Sequence, residues 1–347
     1  MARRDRCVSR PGSWARAIIS VLRSGSLTAS IYRAVHWAVV ILLVLNSRQL
    51  WAAPAVASSL GQDGVSPARV MSPAPALPSV VDLPVEGLVH KFPELKKLKP
   101  ATSQESLASI LQKVGKNVAT LFNDFPNVTS REQVTEQRLT LTGAMHDEIY
   151  QEFRYLALVS ADKKRVGFQE YRTDSKGRIV QRKGLDSGYL ITEGFVSLPL
   201  YFHPFHQPES KFRYLGQEVI KKRVTDVVAF AQTPAARERE QFTISGNSVL
   251  VLVQGVAWID AENHQIAQMR TDLRGPVPEI KLDSQTTRVN FAEIHFKGSS
   301  LPLWLPREVE VETRCYGVTF RNTHSYSQYK LFTVQTQMSQ ESRPSRK

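Results

Sequence analysis

Cysteine is nearly absent. The 347 residues hold two, Cys7 and Cys315, and Cys7 falls in an N-terminal segment expected to be removed. An intramolecular disulfide is therefore excluded for the mature chain, which must depend on its core. Long apolar runs are lacking too. Residues 37–45 are nine consecutive apolar residues, Trp-Ala-Val-Val-Ile-Leu-Leu-Val-Leu, whereas a membrane-spanning helix needs about 20. Acidic residues are missing from the start of the chain: residues 1–57 contain eight arginines, no lysine and one acid, Asp5, and so hold +7 of the formal net charge of +13. That distribution removes most of the apparent nucleic-acid character, since the other 290 residues carry only +6.

An Arg-rich stretch, a nine-residue apolar core and then Ala55-Val56-Ala57 make the pattern of a secretory signal, with small residues where a signal peptidase cuts. Retention as a membrane anchor is the alternative. No Cys follows the apolar core to support a lipid anchor. The expected organisation is a signal peptide at 1–57, a Pro-rich tether at 58–100, a folded domain at 101–336 and a polar tail at 337–347. The tether rests on seven prolines in 43 residues, which remove backbone donors and favour extended neighbours.

The folded region opens on a helix. Thr102 and Glu105 have capping-box spacing, and Leu107, Ile110, Leu111, Val114, Val118, Leu121 and Phe122 form one apolar face ahead of Pro126. After Pro126 the period becomes two. Residues 307–315 alternate strictly, with Val309, Val311, Thr313 and Cys315 on one face and Glu308, Glu310, Glu312 and Arg314 on the other. Further strands are expected at 133–142, 148–160, 165–173, 178–182, 212–220, 223–232, 248–260, 265–273, 286–297 and 318–335. Short polar turns at 162–164, 174–177 and 260–263 join several of them, so neighbours should be antiparallel. The fold class is α+β: an N-terminal amphipathic helix packed on a large curved antiparallel sheet, an incomplete β-barrel.

Three stretches carry a family resemblance. Gly255-Val-Ala-Trp258-Ile-Asp260, Leu303-Trp304-Leu305-Pro306 and His324-Ser-Tyr326-Ser-Gln-Tyr329 together resemble the exported LolA-like, outer-membrane lipoprotein-sorting-like family, in the branch of acidobacterial-type exported proteins. The resemblance covers roughly residues 102–336. It implies an incomplete antiparallel barrel over a helix, with an apolar cavity that holds acyl chains in the lipoprotein carriers. No ligand-contacting residue of that family can be matched onto this chain.

Catalytic motifs are lacking. Asp186-Ser187-Gly188 and Ser160-Ala161-Asp162-Lys163 are fragments of hydrolase patterns without their partners, and no phosphate loop or dinucleotide fingerprint is present. His203, His206 and Glu209 could offer three metal ligands, but Pro204 breaks the spacing between the histidines. Cys315 sits on an apolar strand face, where a thiol is inert. No enzyme activity, metal or cofactor is expected.

Residues 189–205 stand apart: ten of 17 are Tyr, Leu, Ile, Phe or Val, broken by Pro199 and Pro204. Two readings remain open, an irregular plug at one mouth of the barrel or a lid over an apolar cavity. The candidate ligand residues are Tyr189, Leu190, Phe195, Leu198, Tyr201, Phe202, Phe205 and Trp258, with residues 249–253 and the helix lining the same space. The basic turns Lys163, Lys164, Arg165 and Lys221, Lys222, Arg223 are solvated tips or contacts to an anionic surface. The expected function is a non-catalytic exported protein of a Gram-negative periplasm or envelope that binds a lipid or other hydrophobic ligand. The alternative is an envelope protein-interaction or sensor module. A protein partner and peripheral membrane contact both fit, and export argues against nucleic acid.

Overall fold

A computed structural model describes residues 78–332 apart from 124, 141, 163–164, 181–194, 237–239, 245–246 and 298–301. The expected signal peptide, most of the expected tether and the polar tail lie outside the described residues. Two helices, α1 (Val85–Lys91) and α2 (Glu105–Asn123), precede the long strands. The strands are β1 (Lys99–Pro100), β2 (Val128–Leu139), β3 (Met145–Asp162), β4 (Arg165–Thr173), β5 (Ser210–Ile220), β6 (Arg223–Gln232), β7 (Glu240–Ile244), β8 (Asn247–Val251), β9 (Val253–Asp260), β10 (Ile266–Leu273), β11 (Leu282–Ile294), β12 (Leu303–Cys315) and β13 (Val318–Leu331). Eleven of them form one open antiparallel sheet in the order β1-β5-β6-β9-β10-β11-β12-β13-β2-β3-β4, and β7 pairs with β8 alone.

The pairing follows the turns. Asp174 Oδ1 accepts from the Lys176 and Arg178 amides after β4, and Asp260 Oδ1 accepts from those of Glu262 and Asn263 between β9 and β10. Such carboxylate caps stabilise tight reversals, which keep consecutive strands antiparallel. The expected alternation in β12 holds, with Val309, Val311, Thr313 and Cys315 buried and Glu308 and Arg314 exposed.

The inner face of the sheet holds the larger core. Ile110, Val114, Val118 and Phe122 of α2 pack there with residues from β6, β9, β10, β11, β12, β13, β2 and β3. The segment at 195–202 lies in the same core. Phe195 meets His324 of β13, while Phe202 meets Phe230 of β6. Strands five places apart are thus bridged by one short segment, around which the sheet curls, as large twisted sheets do.

Two expectations are corrected at the start of the domain. Helix α2 begins at Glu105, so the Thr102 capping box does not open it. Gln104 precedes the helix, and its amide is tied to the Tyr214 backbone by two 2.8 Å hydrogen bonds. The expected tether is also packed structure from Ser79 onward. Leu88, Phe92 and Leu95 recur at helical spacing and are fully buried against Leu215, Val227, Ala229, Val256 and Trp258 on the outer face of the sheet. The prolines here start turns instead of extending the chain: Pro84 precedes α1, and Pro93 opens a 3-10 turn.

Charge fixes this segment as well. Arg270 lies 4.5 Å from the Phe92 ring centre and donates to both Glu94 oxygens, and Arg288 donates to Glu94 at 2.6 Å. The chain then crosses the sheet edge through β1, which pairs Pro100 with Gly216. Gly216 has φ +127°, and a Cβ there would meet the Lys99 carbonyl oxygen at 2.0 Å, so only glycine fits. Consequently β6 and β9 are buried on both faces, which explains why neither alternates cleanly. The expected strand at 248–260 is two: β8 pairs with β7 apart from the main sheet, and β9 begins at Val253.

Phe92→Ala is expected to destabilise the domain by about 3–5 kcal/mol in urea unfolding, the cost of emptying a buried aromatic site. An unchanged midpoint would mean that residues 79–98 do not belong to the core.

Candidate functional site

Along β2 the inward positions read Val128, Ser130, Glu132, Val134 and Glu136, all buried. On β13 the inward set is Phe320, Asn322, His324 and Tyr326. Polar groups thus occupy the face that apolar neighbours mark as interior. Antiparallel register sets His324 opposite Val134 and Tyr326 opposite Glu132, while β4 carries Arg172 opposite Tyr155 of β3.

Glu132 is the centre of this polar group. Arg172 reaches it with two charge-assisted bonds, Nε to Oε2 at 2.6 Å and an Nη to Oε1 at 2.7 Å. His324 Nδ1 lies 2.9 Å from Oε1, and the Tyr326 hydroxyl donates to the same oxygen at 2.8 Å. Glu132 and His324 are both completely buried. Burial would push the Glu132 carboxyl up, but Arg172 and the His324 hydrogen bond hold it at about 2. Burial pushes His324 down despite its Glu132 contact, so the neutral ring donates from Nδ1. Burial likewise holds the Tyr155 and Tyr326 phenols protonated. Their rings meet edge-on at 5.2 Å.

Glu136 differs. Burial pushes its carboxyl up to about 7, with Arg172 too weak an opposing charge to reverse this. Gln151 gives Oε1 one long contact of 3.4 Å, and Oε2 has no hydrogen-bond partner. The Tyr155 hydroxyl and the Ser130 hydroxyl oxygen are buried without partners too. Such atoms are uncommon in folded proteins and mark places where a further polar group can be taken up.

The apolar side of this floor is the inner core. Phe195 covers His324 edge-on at 5.0 Å. Leu198 and Phe202 are buried, and Tyr201 stacks on Phe230 at 5.3 Å and donates to Glu240 at 2.8 Å. Four of the candidate ligand residues, Phe195, Leu198, Tyr201 and Phe202, therefore come together. Phe205 does not join them: it is 68% exposed, because the chain turns outward at Pro204. Trp258 faces the opposite side of the sheet, packed under α1, and its indole N–H donates to Glu218 at 3.0 Å. Val249 and Val251 belong to a separate small core with Cys315, whose thiol burial pushes up to about 11. Val253 alone of that stretch reaches the inner core. Tyr189 and Leu190 lie outside the described residues, as do Asp186, Ser187 and Gly188.

Among the basic turn residues, Lys163, Lys164 and the side chain of Arg165 are also outside the described residues. Lys221 and Lys222 form the exposed β5–β6 tip. Arg223 is not free to meet an anion: it pairs with Asp260 at 2.9 Å and Glu293 at 3.5 Å and lies 5.4 Å from the Trp304 ring centre. Lys221, Lys222, Arg223 and Asp260 border an open depression of about 700 Å³. His203 and His206 stand with ring centres 5.8 Å apart, and His206 is 3.9 Å from Glu209. Among the described residues no three His, Cys, Asp or Glu side chains are arranged to hold a metal ion.

No protein-family model matches the chain, and no curated protein matches it. Solved structures do. The chain is similar to a DUF1329 family protein from Desulfovibrio piger, at 7% identity over 66% of this chain and 94% of that one, with a TM-score of 0.35. It is similar also to an outer membrane lipoprotein-sorting protein domain from Vibrio parahaemolyticus, at 10% identity over the same shares, with a TM-score of 0.34. Neither match bears on the acidobacterial-type branch.

The Glu136 carboxyl has a testable pH window. Its folded value of about 7 lies above the usual 4.5, so its protonated form stabilises the fold fully below pH 4.5, and that contribution is lost as pH rises through 7. Glu136→Gln should remove this loss: between pH 4.5 and 8 the variant should gain on the parent protein by up to about 3 kcal/mol in denaturant unfolding. Parallel stability curves would show that Glu136 ionises normally. Glu132 does not confound the comparison, because its depressed value places its effect below pH 4.5.

Proposed function

We propose that this chain is a non-catalytic, exported binding protein of a Gram-negative envelope, and that the inner face of its sheet takes a lipid or other hydrophobic ligand. The observation that carries the reading is the continuity of one apolar surface, from α2 through Phe230, Met269, Val289 and Val309, with a buried polar floor at Glu132, Glu136 and His324. An acyl-like body suits the first part and a polar end the second. Unpartnered polar atoms on Glu136, Tyr155 and Ser130 favour an end that both donates and accepts hydrogen bonds, such as a hydroxyl.

Two of the LolA-like stretches meet in this region. Trp304 and Leu305 belong to the apolar surface, and His324 and Tyr326 belong to the floor. The segment at 195–202 fills the inner face, so a ligand enters by displacing Leu198 and Phe202. That makes the segment a cover as well as core.

A non-catalytic role is supported by the state of the reactive groups. His324 is completely buried, and the Cys315 thiol is buried and protonated.

Native mass spectrometry of the protein released from its envelope is expected to show a bound lipid-sized adduct, and the delipidated protein should raise the fluorescence of an acyl probe. Absence of both would overturn the reading.

A further inference from the structure

The β5–β6 hairpin turns on Lys221 and Lys222, whose φ angles are +46° and +69°. Val219 pairs with Val224 and Ile220 with Arg223 on either side. A two-residue turn of this hand matches the twist of its strands, and Asn-Gly fits it without strain. A lysine there is held in the left-handed region, an arrangement that concentrates where function requires it. The tip thus keeps two cations at positions where other residues would stabilise the hairpin. Among the described residues, neither lysine forms an ion pair.

The flanking valines are the second unusual feature. Val219 is 55% exposed and Val224 47%. By alternation Val224 shares the face of Val228 and Phe230, which are buried, yet at the tip that face is left uncovered. Nearby acids are largely spent. Asp260 is held by Arg223 and by the turn amides, and Glu293 also meets Arg223, which leaves Glu262 as the acid bordering the depression beside the lysines.

Two unpaired cations beside an exposed valine pair combine the chemistries that a lipid surface presents, anionic headgroups and the acyl boundary below them. We propose that the β5–β6 tip docks the protein on an anionic lipid bilayer, with Lys221 and Lys222 at the headgroup phosphates and Val219 and Val224 at the acyl boundary. The bilayer is the single surface that offers anionic phosphates directly above an apolar layer, which matches the order of cations and valines at the tip. The proposal stands apart from the ligand on the inner face, because its residues contribute nothing to that core.

The test is sedimentation of the exported form, released from its envelope, with vesicles of phosphatidylcholine alone and of phosphatidylcholine mixed with phosphatidylglycerol. Binding is expected to the mixed vesicles only and to fall with salt. The double variant Lys221→Asn/Lys222→Gly should unfold at higher temperature than the parent yet bind about thirtyfold more weakly, at about 1 kcal/mol for each lysine. Val219→Ser/Val224→Ser should weaken binding while keeping its salt dependence. The proposal is overturned if the parent protein ignores anionic vesicles, binds neutral ones equally, or binds no better than the lysine double variant. Loss of binding to an acidic protein partner with vesicle binding unchanged would overturn it as well.

Discussion

A carboxylate sealed from water must be satisfied by its neighbours, and Glu132 is satisfied by three of them at once. Arg172, His324 and Tyr326 come from two other strands and converge on its two oxygens. The arrangement works only if β13, β2 and β4 keep their register, since a slip of one residue turns every side chain to the opposite face. A buried ion pair of this kind adds little net stability compared with apolar packing, but losing one partner strands the other charge at a cost of about 3–5 kcal/mol. The interaction therefore acts as a lock on one wing of the sheet. It also makes that wing's interior polar, and so gives the inner face a chemical direction.

The other wing is built differently. Strands β6 and β9 are covered by α2 on one side and by the segment at 79–98 on the other, with an apolar cluster on each face. Glu94 fastens the outer cover through Arg270 and Arg288, which pair also with Asp272 and Glu310 on the sheet. The two wings share one inner surface, apolar under α2 and polar at Glu132. That gradient is the reason a ligand with an apolar body and a polar end suits the molecule.

Much of the fold was legible from period alone. The spacing of Ile110, Val114, Val118 and Phe122 located the α2 face, and the two-residue alternation from Val309 to Cys315 gave the orientation of β12. The rest is hidden from the sequence for physical reasons. The α1 segment hides behind Pro84 and Pro93, which read as extended linker until their role as turn starters is seen. The face of Trp258 is not legible, because β9 is buried on both sides and has no alternation to orient it. The Glu132 group stays hidden while the strand is expected only from 133. Begun at Val128, the same alternation sets Glu132 and Glu136 among inward valines, and an acid in that position asks for a partner. His324 and Tyr326 were noticed only as part of a family motif, and no local pattern could bring Arg172, 40 residues beyond Glu132, into contact with them.

The central claim is that Glu132 and Arg172 act as one locked unit beneath the inner face. A double-mutant cycle with Glu132→Gln and Arg172→Gln, read by denaturant unfolding at pH 7, measures this directly. Each single change should be strongly destabilising, and the double change should cost well under their sum, with a coupling of about 2 kcal/mol or more. Additive effects, within about 0.5 kcal/mol, would contradict the account.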